Sequence, residues 1–299
     1  MSIKKLLFGL MLGAFSFNYS YGQASLLNAK KVNTIGKKTT EQIAADNDGP
    51  LAYGFIDDRD IVWSKVVWEV IDFNQKINFP YYYPIDTTSI ESSRLSLYNT
   101  LQKALKKNKF KTYEDSYFTS EKTLADINEN LNANCVNLGY PMSVTAQDIK
   151  SFKIKGMYYF DKRQGEMKYR LLAIAPLVEI DAKTKCSIEE ARENANQAGV
   201  KFEMPEAEEP IALYWVFYPE IRQVMYDAKV FNPNNSSQPI SYDHLLNARR
   251  FSSTIVREEN LYGNRKISDY VRGNSLFQLL EADRIKENIR NREMDMWNY

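Results

Sequence analysis

Apolar positions along this chain recur first at helical spacing and later at strand spacing. Asp57, Asp58 and Asp60 precede Trp63, Val67, Val70 and Ile77, with Val66 and Phe73 widening the stripe. Carboxylates suit a helix start, where unpaired N–H groups and the dipole are positive. The spacing therefore predicts a helix that ends before Pro80. The segment Phe79-Pro80-Tyr81-Tyr82-Tyr83-Pro84 is expected to be extended, because its prolines break a helix. Its tyrosines make it a candidate docking strip, with Tyr81, Tyr82 and Tyr83 as partner-binding residues. Further helices are predicted over 90–107, through Leu95, Tyr98, Leu101 and Leu105, and over 120–132, through Leu124, Ile127 and Leu131. Residues 109–118 alternate weakly, as a strand would.

The period then changes. Phe152, Ile154, Gly156 and Tyr158 alternate, and 161–166 supplies turn chemistry with Gly165, so a β-hairpin is predicted. Its second strand becomes apolar on both faces at 171–174, which places it inside a sheet until Pro176 interrupts pairing. Residues 211–218 read as an aromatic strand turned back by Pro219-Glu220 into a strand over 222–231. A polar helix is predicted over 187–198, an acidic connector over 200–210, a loop over 231–237 and a helix over 242–251. A last helix over 275–297 carries Leu276, Phe277, Leu280, Ile285, Ile289 and Met296, with Asp283/Lys286 and Glu287/Arg290 three apart on its outer face. The expected class is α+β, a predominantly antiparallel sheet with several packed helices and a long C-terminal helix. Residues 51–299 are read as one domain with a helical subregion at 56–135 and a sheet-rich one at 150–240.

Composition changes the picture mainly at the N-terminus. Lys4 and Lys5 precede an apolar run to Phe17, and Ser20 and Gly22 are small residues suited to a cut before Gln23, so 1–22 reads as a signal peptide. The run is shorter than the roughly 20 residues a membrane crossing needs. No Cys follows the cut, so no lipid anchor is expected. Residues 23–50 are polar, with Lys30, Lys31, Lys37 and Lys38, and read as a flexible arm. Without Lys4 and Lys5 the chain keeps 37 basic residues of 39 against 38 acidic ones, which gives no affinity for nucleic acid or anionic membranes. Cys135 and Cys186 are a disulfide candidate in an oxidising compartment. Two buried free thiols remain the alternative, since bonding needs Cα atoms within about 7 Å.

Catalytic chemistry has little to draw on. The chain holds one histidine, His244, at a predicted helix start, and no zinc-type ligand spacing. Phosphate-cradling loops and nucleophile elbows are absent from the sequence. Glu203, Glu206, Glu208 and Glu209 cluster in the acidic connector, where a solvated charge run is favoured over a tuned acid–base pair. No catalytic residue, metal or cofactor is expected. An exported hydrolase using carboxylates brought together in space stays the alternative, and a carbohydrate-binding module stacking sugars on Trp63 and Trp68 a third reading. With 20 Tyr, 15 Phe and 4 Trp, the chain is rich in residues that serve cores and interfaces. Trp297 near the C-terminus and Arg222 join the candidate partner-binding residues.

Several segments resemble the gliding-motility GldN and PorN family of the type IX secretion system. They are Asp60-Ile61-Val62-Trp63-Ser64-Lys65-Val66-Val67-Trp68-Glu69-Val70-Ile71-Asp72, Asn78-Phe79-Pro80-Tyr81-Tyr82-Tyr83-Pro84, Tyr218-Pro219-Glu220-Ile221-Arg222, Arg249-Arg250-Phe251-Ser252-Ser253 and residues 293–297. The resemblance implies a periplasmic, non-enzymatic ring subunit at the inner face of the outer membrane. It implies self-association, a GldK- or PorK-like outer-membrane lipoprotein as partner, and a GldM- or PorM-like shaft from an inner-membrane motor. No direct membrane anchor is expected. A ring uses heterologous contacts, so two different faces of each copy must bind. The proline–tyrosine strip, the basic arm and the terminal helix are the candidates for them.

Overall fold

The computed structural model describes residues 49–85, 94–135, 138–202, 204, 209–232 and 240–296. The expected signal peptide and nearly all of the arm lie outside them. The first element corrects the sequence reading: Ile61–Asp72 is a strand, β1, and not a helix. One 3-10 turn, Asp58–Asp60, precedes it, with the Asp57 carboxylate accepting from the Arg59 N–H. Ile61, Val62, Val66, Val67, Val70 and Ile71 are β-branched, which restricts them in a helix and suits a pleated surface. Apolar positions of a strand buried on both faces also satisfy a 3.6 period, so spacing alone misassigned it.

The proline–tyrosine strip is likewise not extended. A 3-10 turn, Lys76–Asn78, leads into a one-turn helix α1, Phe79–Tyr82, with Pro80 in its first turn, where no N–H is needed. Helix α2, Leu97–Leu105, is capped by Ser96, and α3, Leu124–Leu131, by a Thr123/Asp126 capping box. Both are shorter than expected. Residues 109–118 make isolated bridges at Tyr113, to Glu121 and Trp215, in place of a strand. Strands β2, Asn132–Cys135, and β3, Tyr140–Ser143, pair as a small ribbon.

The predicted hairpin is present as β4, Ser151–Asp161, and β5, Glu166–Val178, with Gly165 at φ 66° in its turn. Pro176 does not interrupt it. It stays in register opposite Phe152, and its carbonyl still accepts from the Leu213 N–H at 3.0 Å. Helix α4, Ala182–Ala198, runs from an Asp181 cap to Gly199 at φ 68°. The expected strand over 211–218 is broken into β6, Ile211–Ala212, and β7, Val216–Phe217.

The strand expected over 222–231 is mostly helix α5, Tyr218–Asp227. Pro219 starts it, and Tyr218, Ile221, Arg222 and Met225 bury one helical face. Strands β8, Lys229–Val230, and β9, Ile240–Ser241, form a second ribbon ahead of α6, Tyr242–Asn247. Strand β10, Thr254–Glu258, α7, Ile267–Tyr270, and α8, Ser275–Met296, complete the described chain.

The fold is α+β. Its main sheet is antiparallel in the order β10-β1-β4-β5-β6, with β7 also on β5. Because β1 lies between β4 and β10, the main sheet takes strands from both of the expected subregions. The register slips by one residue at Trp68/Glu69 against β10 and at Lys155/Gly156 against β5, which places the extra residues, Val256 and Leu172, on the two strands that flank β1 and β4. A bulge reverses the in–out alternation of a strand, so Leu171 and Ile174 serve the same core. That main core gathers Ile71, Phe152, Ile154 and Ile174 of the sheet with Leu101, Ile127, Ile221, Tyr242 and Leu246 of the helices. A second cluster, Val67, Ile255, Ile267, Ala282, Ile285 and Ile289, lies under α8. Trp68, Ala173, Ala175 and Trp215 form a third, on the side of the sheet to which residues adjacent to Val67 and Ile174 point.

Candidate functional site

Three buried charge clusters organise the surfaces, and each grips a different segment. Arg222 on α5 meets Asp243 on α6 through two hydrogen bonds of 3.1 and 3.0 Å, and Tyr218 and Asn247 donate to the same carboxylate. Burial opposes the Arg222 charge, but the Asp243 hydrogen bond and charge outweigh it and raise its pKa. A third Arg222 hydrogen bond goes to the Leu51 carbonyl at 2.6 Å. Arg170 holds the Gly54 carbonyl at 3.0 Å and Arg163 that of Phe55 at 2.9 Å. The Tyr53 ring has both the Arg222 and the Arg170 guanidinium over it, at 4.0 and 4.7 Å, and its hydroxyl donates to Asn247. The irregular segment that leads into the domain is therefore clamped through its backbone oxygens and one aromatic ring.

Glu69 on β1, fully buried, takes two hydrogen bonds from Arg249 at 3.1 and 2.8 Å and one from the Ser253 hydroxyl. Arg249, at φ 50°, also lies 4.1 Å from the Tyr169 ring centroid. Burial works against its charge, yet Glu69 raises its pKa well above the usual arginine range. The Ser253 carbonyl accepts from Lys286 of α8 at 2.6 Å, so this cluster ties the sheet interior to the C-terminal helix.

On the other face, Lys155 and Arg257 share the Trp68 ring at 5.1 and 4.5 Å, and the loop at Ser116 and Tyr117 covers them. Trp68 and Lys155 donate to the Ser116 hydroxyl and carbonyl at 3.0 and 2.9 Å. Burial and then Arg257 hold the Lys155 pKa below the ordinary lysine value. Cations and carboxylates in these clusters hold segments in place. Among the described residues no group of His, Cys, Asp and Glu could hold a metal.

The structure separates the sequence candidates. Tyr81 is buried, stacked 6.5 Å from Phe73, and belongs to the core and not to a docking strip; Tyr82 is half-buried, and Tyr83 is exposed against Phe79. Arg222 is nearly buried and committed to Asp243, so it acts from inside. Trp297 lies outside the described residues. Cys135 and Cys186 are joined, with Cα atoms 5.5 Å apart. His244 is exposed, and its N–H is capped by Ser241. Of the acidic cluster, Glu209 pairs with Lys266 at 2.7 Å, while Glu203, Glu206 and Glu208 lie outside the described residues. Trp68 is buried and Trp63 half-buried, against the sugar-stacking reading.

Sequence reasoning missed Tyr53, Asp243, Glu69 and Arg249. The signal for Glu69 was available, since a lone carboxylate within Val66-Val67-Trp68-Glu69-Val70-Ile71 must find a cation once the run is buried. A comparison with curated proteins finds no match. A family model described as "Gliding motility associated protein GldN" matches residues 56–298.

Proposed function

Because the chain belongs to the GldN family of gliding-motility-associated proteins, we propose that it is a non-enzymatic structural subunit of a periplasmic ring that supports type IX secretion and gliding. In this reading copies associate with one another and with a GldK- or PorK-like outer-membrane lipoprotein at the inner face of the outer membrane. A GldM- or PorM-like shaft links the ring to its motor. The observation that carries the reading is the extent of the family match, which takes in every described element from the turn at Asp58 to the end of α8. The buried ion pairs fit it, since they fix shape. Among the described residues no helix is long and apolar enough to cross a membrane. Tyr83 with Phe79 offers exposed aromatic surface for such contacts, Tyr81 packs in the core against Phe73, Arg222, held by Asp243, binds the segment at 51–53, and Trp297 is retained as a candidate contact.

The test is purification from the envelope. The protein should co-fractionate with an outer-membrane lipoprotein as a very large particle. A small species that hydrolyses a glycan or cell-wall substrate, and loses that activity through one carboxylate-to-amide change, would establish the hydrolase alternative instead.

A further inference from the structure

Cations gather on one face of the main sheet with too few carboxylates to match them. Directly opposed residues of neighbouring strands point to the same side. Lys266 faces Arg257, Arg257 faces Trp68, Trp68 faces Lys155, Lys155 faces Ala173, and Ala173 faces Phe217. They make one row across the sheet. Two positions along β4, Lys153 lies on the same face, opposite Val70 and Ala175. Glu209 pairs with Lys266 at 2.7 Å, but among the described residues no carboxylate pairs with Lys153, Lys155 or Arg257. The Lys153 amine meets no acceptor there, and the buried Arg257 Nε is likewise unpartnered.

Cations withdrawn from water without a counter-charge cost stability. Burial, and then the charges of Lys266 and Arg257, hold the Lys153 pKa below the ordinary lysine value, as burial and Arg257 do for Lys155. An anion set among them would reverse that loss. The chemistry called for is an oxyanion, and Glu209 already supplies one example in its bond to Lys266. The surroundings favour a carboxylate carried by a protein. Lipid headgroups are gathered by runs of long, exposed basic side chains. Here Lys155 is buried under the loop at Ser116 and Tyr117, and Lys153 and Arg257 are half-buried. The exposed rings of Tyr117 and Phe217 flank them, and arginine among aromatic rings is the composition of protein interface centres.

We propose that Lys153, Arg257 and Lys266, backed by the covered Lys155, form a receptor for a carboxylate side chain of a partner protein. The proposal rests on the structural-subunit reading for the kind of partner, while the site itself stands on the cations. A short oligoglutamate peptide titrated into the full mature protein should bind, and more weakly as salt is raised. Lys153→Met, which keeps most of the stem and drops the charge, should weaken that binding roughly tenfold or more. It should also raise the melting temperature, because it removes an uncompensated, half-buried charge, a gain that a purely structural lysine would not give. Lys153→Arg should keep the binding. Recovery of envelope particles should fall in Lys153→Met. Equal peptide binding by wild type and Lys153→Met, or none by either, would overturn the site and leave large particles as support for the wider reading. Wild-type chains that bind the peptide and never enter particles would sink the subunit reading and keep the site. Binding of inorganic phosphate or of phosphatidylglycerol vesicles in preference to the peptide would overturn the protein-partner assignment. Peptide binding confined to a Glu206→Gln, Glu208→Gln variant would hand the cations to the chain's own connector and overturn it too.

Discussion

Replacing Gly156 by Ala tests the packing at the bulges most directly. A Cβ at this position would overlap Oη, Cζ and Cε2 of Tyr169. The ring has no easy escape, because its hydroxyl is buried and it sits 4.8 Å from the Tyr158 ring, with the Arg249 guanidinium 4.1 Å from its centroid. Overpacking of this kind costs about 1–3 kcal/mol. Displacing the ring also forfeits a desolvated cation–π contact worth about 2 kcal/mol. A loss of about 3–5 kcal/mol is expected, a large share of the roughly 5–15 kcal/mol that keeps a domain folded. Urea unfolding of the isolated domain, fitted with a common slope, measures it. Tyr169→Phe should not rescue the variant, since the two ring carbons remain in the way. Tyr169→Leu withdraws them and should recover part of the loss. Additive effects of Gly156→Ala and Tyr169→Leu, within about 0.5 kcal/mol, would refute the reasoning.

Glu69→Gln leaves the half-buried Arg249 beside a neutral amide and should cost up to about 3 kcal/mol in the same assay, partial exposure of the guanidinium softening the loss; a loss below about 1 kcal/mol would show the pair to be dispensable. In alkali, burial raises Tyr98 and Tyr158 to about 12. Their folded forms hold protons that the unfolded chain releases near pH 10, so these two groups contribute no change in stability below pH 10. It then falls as pH climbs toward 12, by up to about 1.4 kcal/mol per pH unit per group. Tyrosinate absorbance should rise in two stages, the later one coinciding with unfolding. Serine at both Cys135 and Cys186, 51 residues apart, should cost up to about 4 kcal/mol, and thiol reagents should find no target in the unfolded, unreduced wild type. Tyr83→Ala should weaken particle assembly and spare folding, whereas Tyr81→Ala should mainly lower the melting temperature; the reverse pattern would remove Tyr83 from the partner surface.

The sequence made some elements legible because their local signals were unopposed. Gly165 and the alternation on either side dictated the β4–β5 hairpin, and the spacing of Ile285 and Ile289 dictated the inward face of α8. The first stretch misled because β1 is buried on both faces, so its apolar residues carry no strict period of two. For α5, the alternating aromatics just before it drew attention from the stripe Tyr218, Ile221, Arg222, Met225. Of the candidate site, exposure was the hidden quantity. Tyr81, Tyr82 and Tyr83 look alike in sequence, and the single turn of α1 sends one inward and another out. Arg222 was singled out, but its partner Asp243 and the clamped backbone at 51–55 depend on contacts between segments far apart in the chain.

The placement of β1 has a mechanical consequence. It is paired with β4 from Ile61 to Asp72 and flanked by β10 along its second half. Tension applied between its ends therefore loads the whole ladder in shear, and the bonds must yield together. Helix α8, fastened through a narrow apolar stripe and Lys286, can instead peel off turn by turn. The molecule thus has one stiff axis and one compliant appendage, and the direction in which neighbours pull decides which of the two gives way.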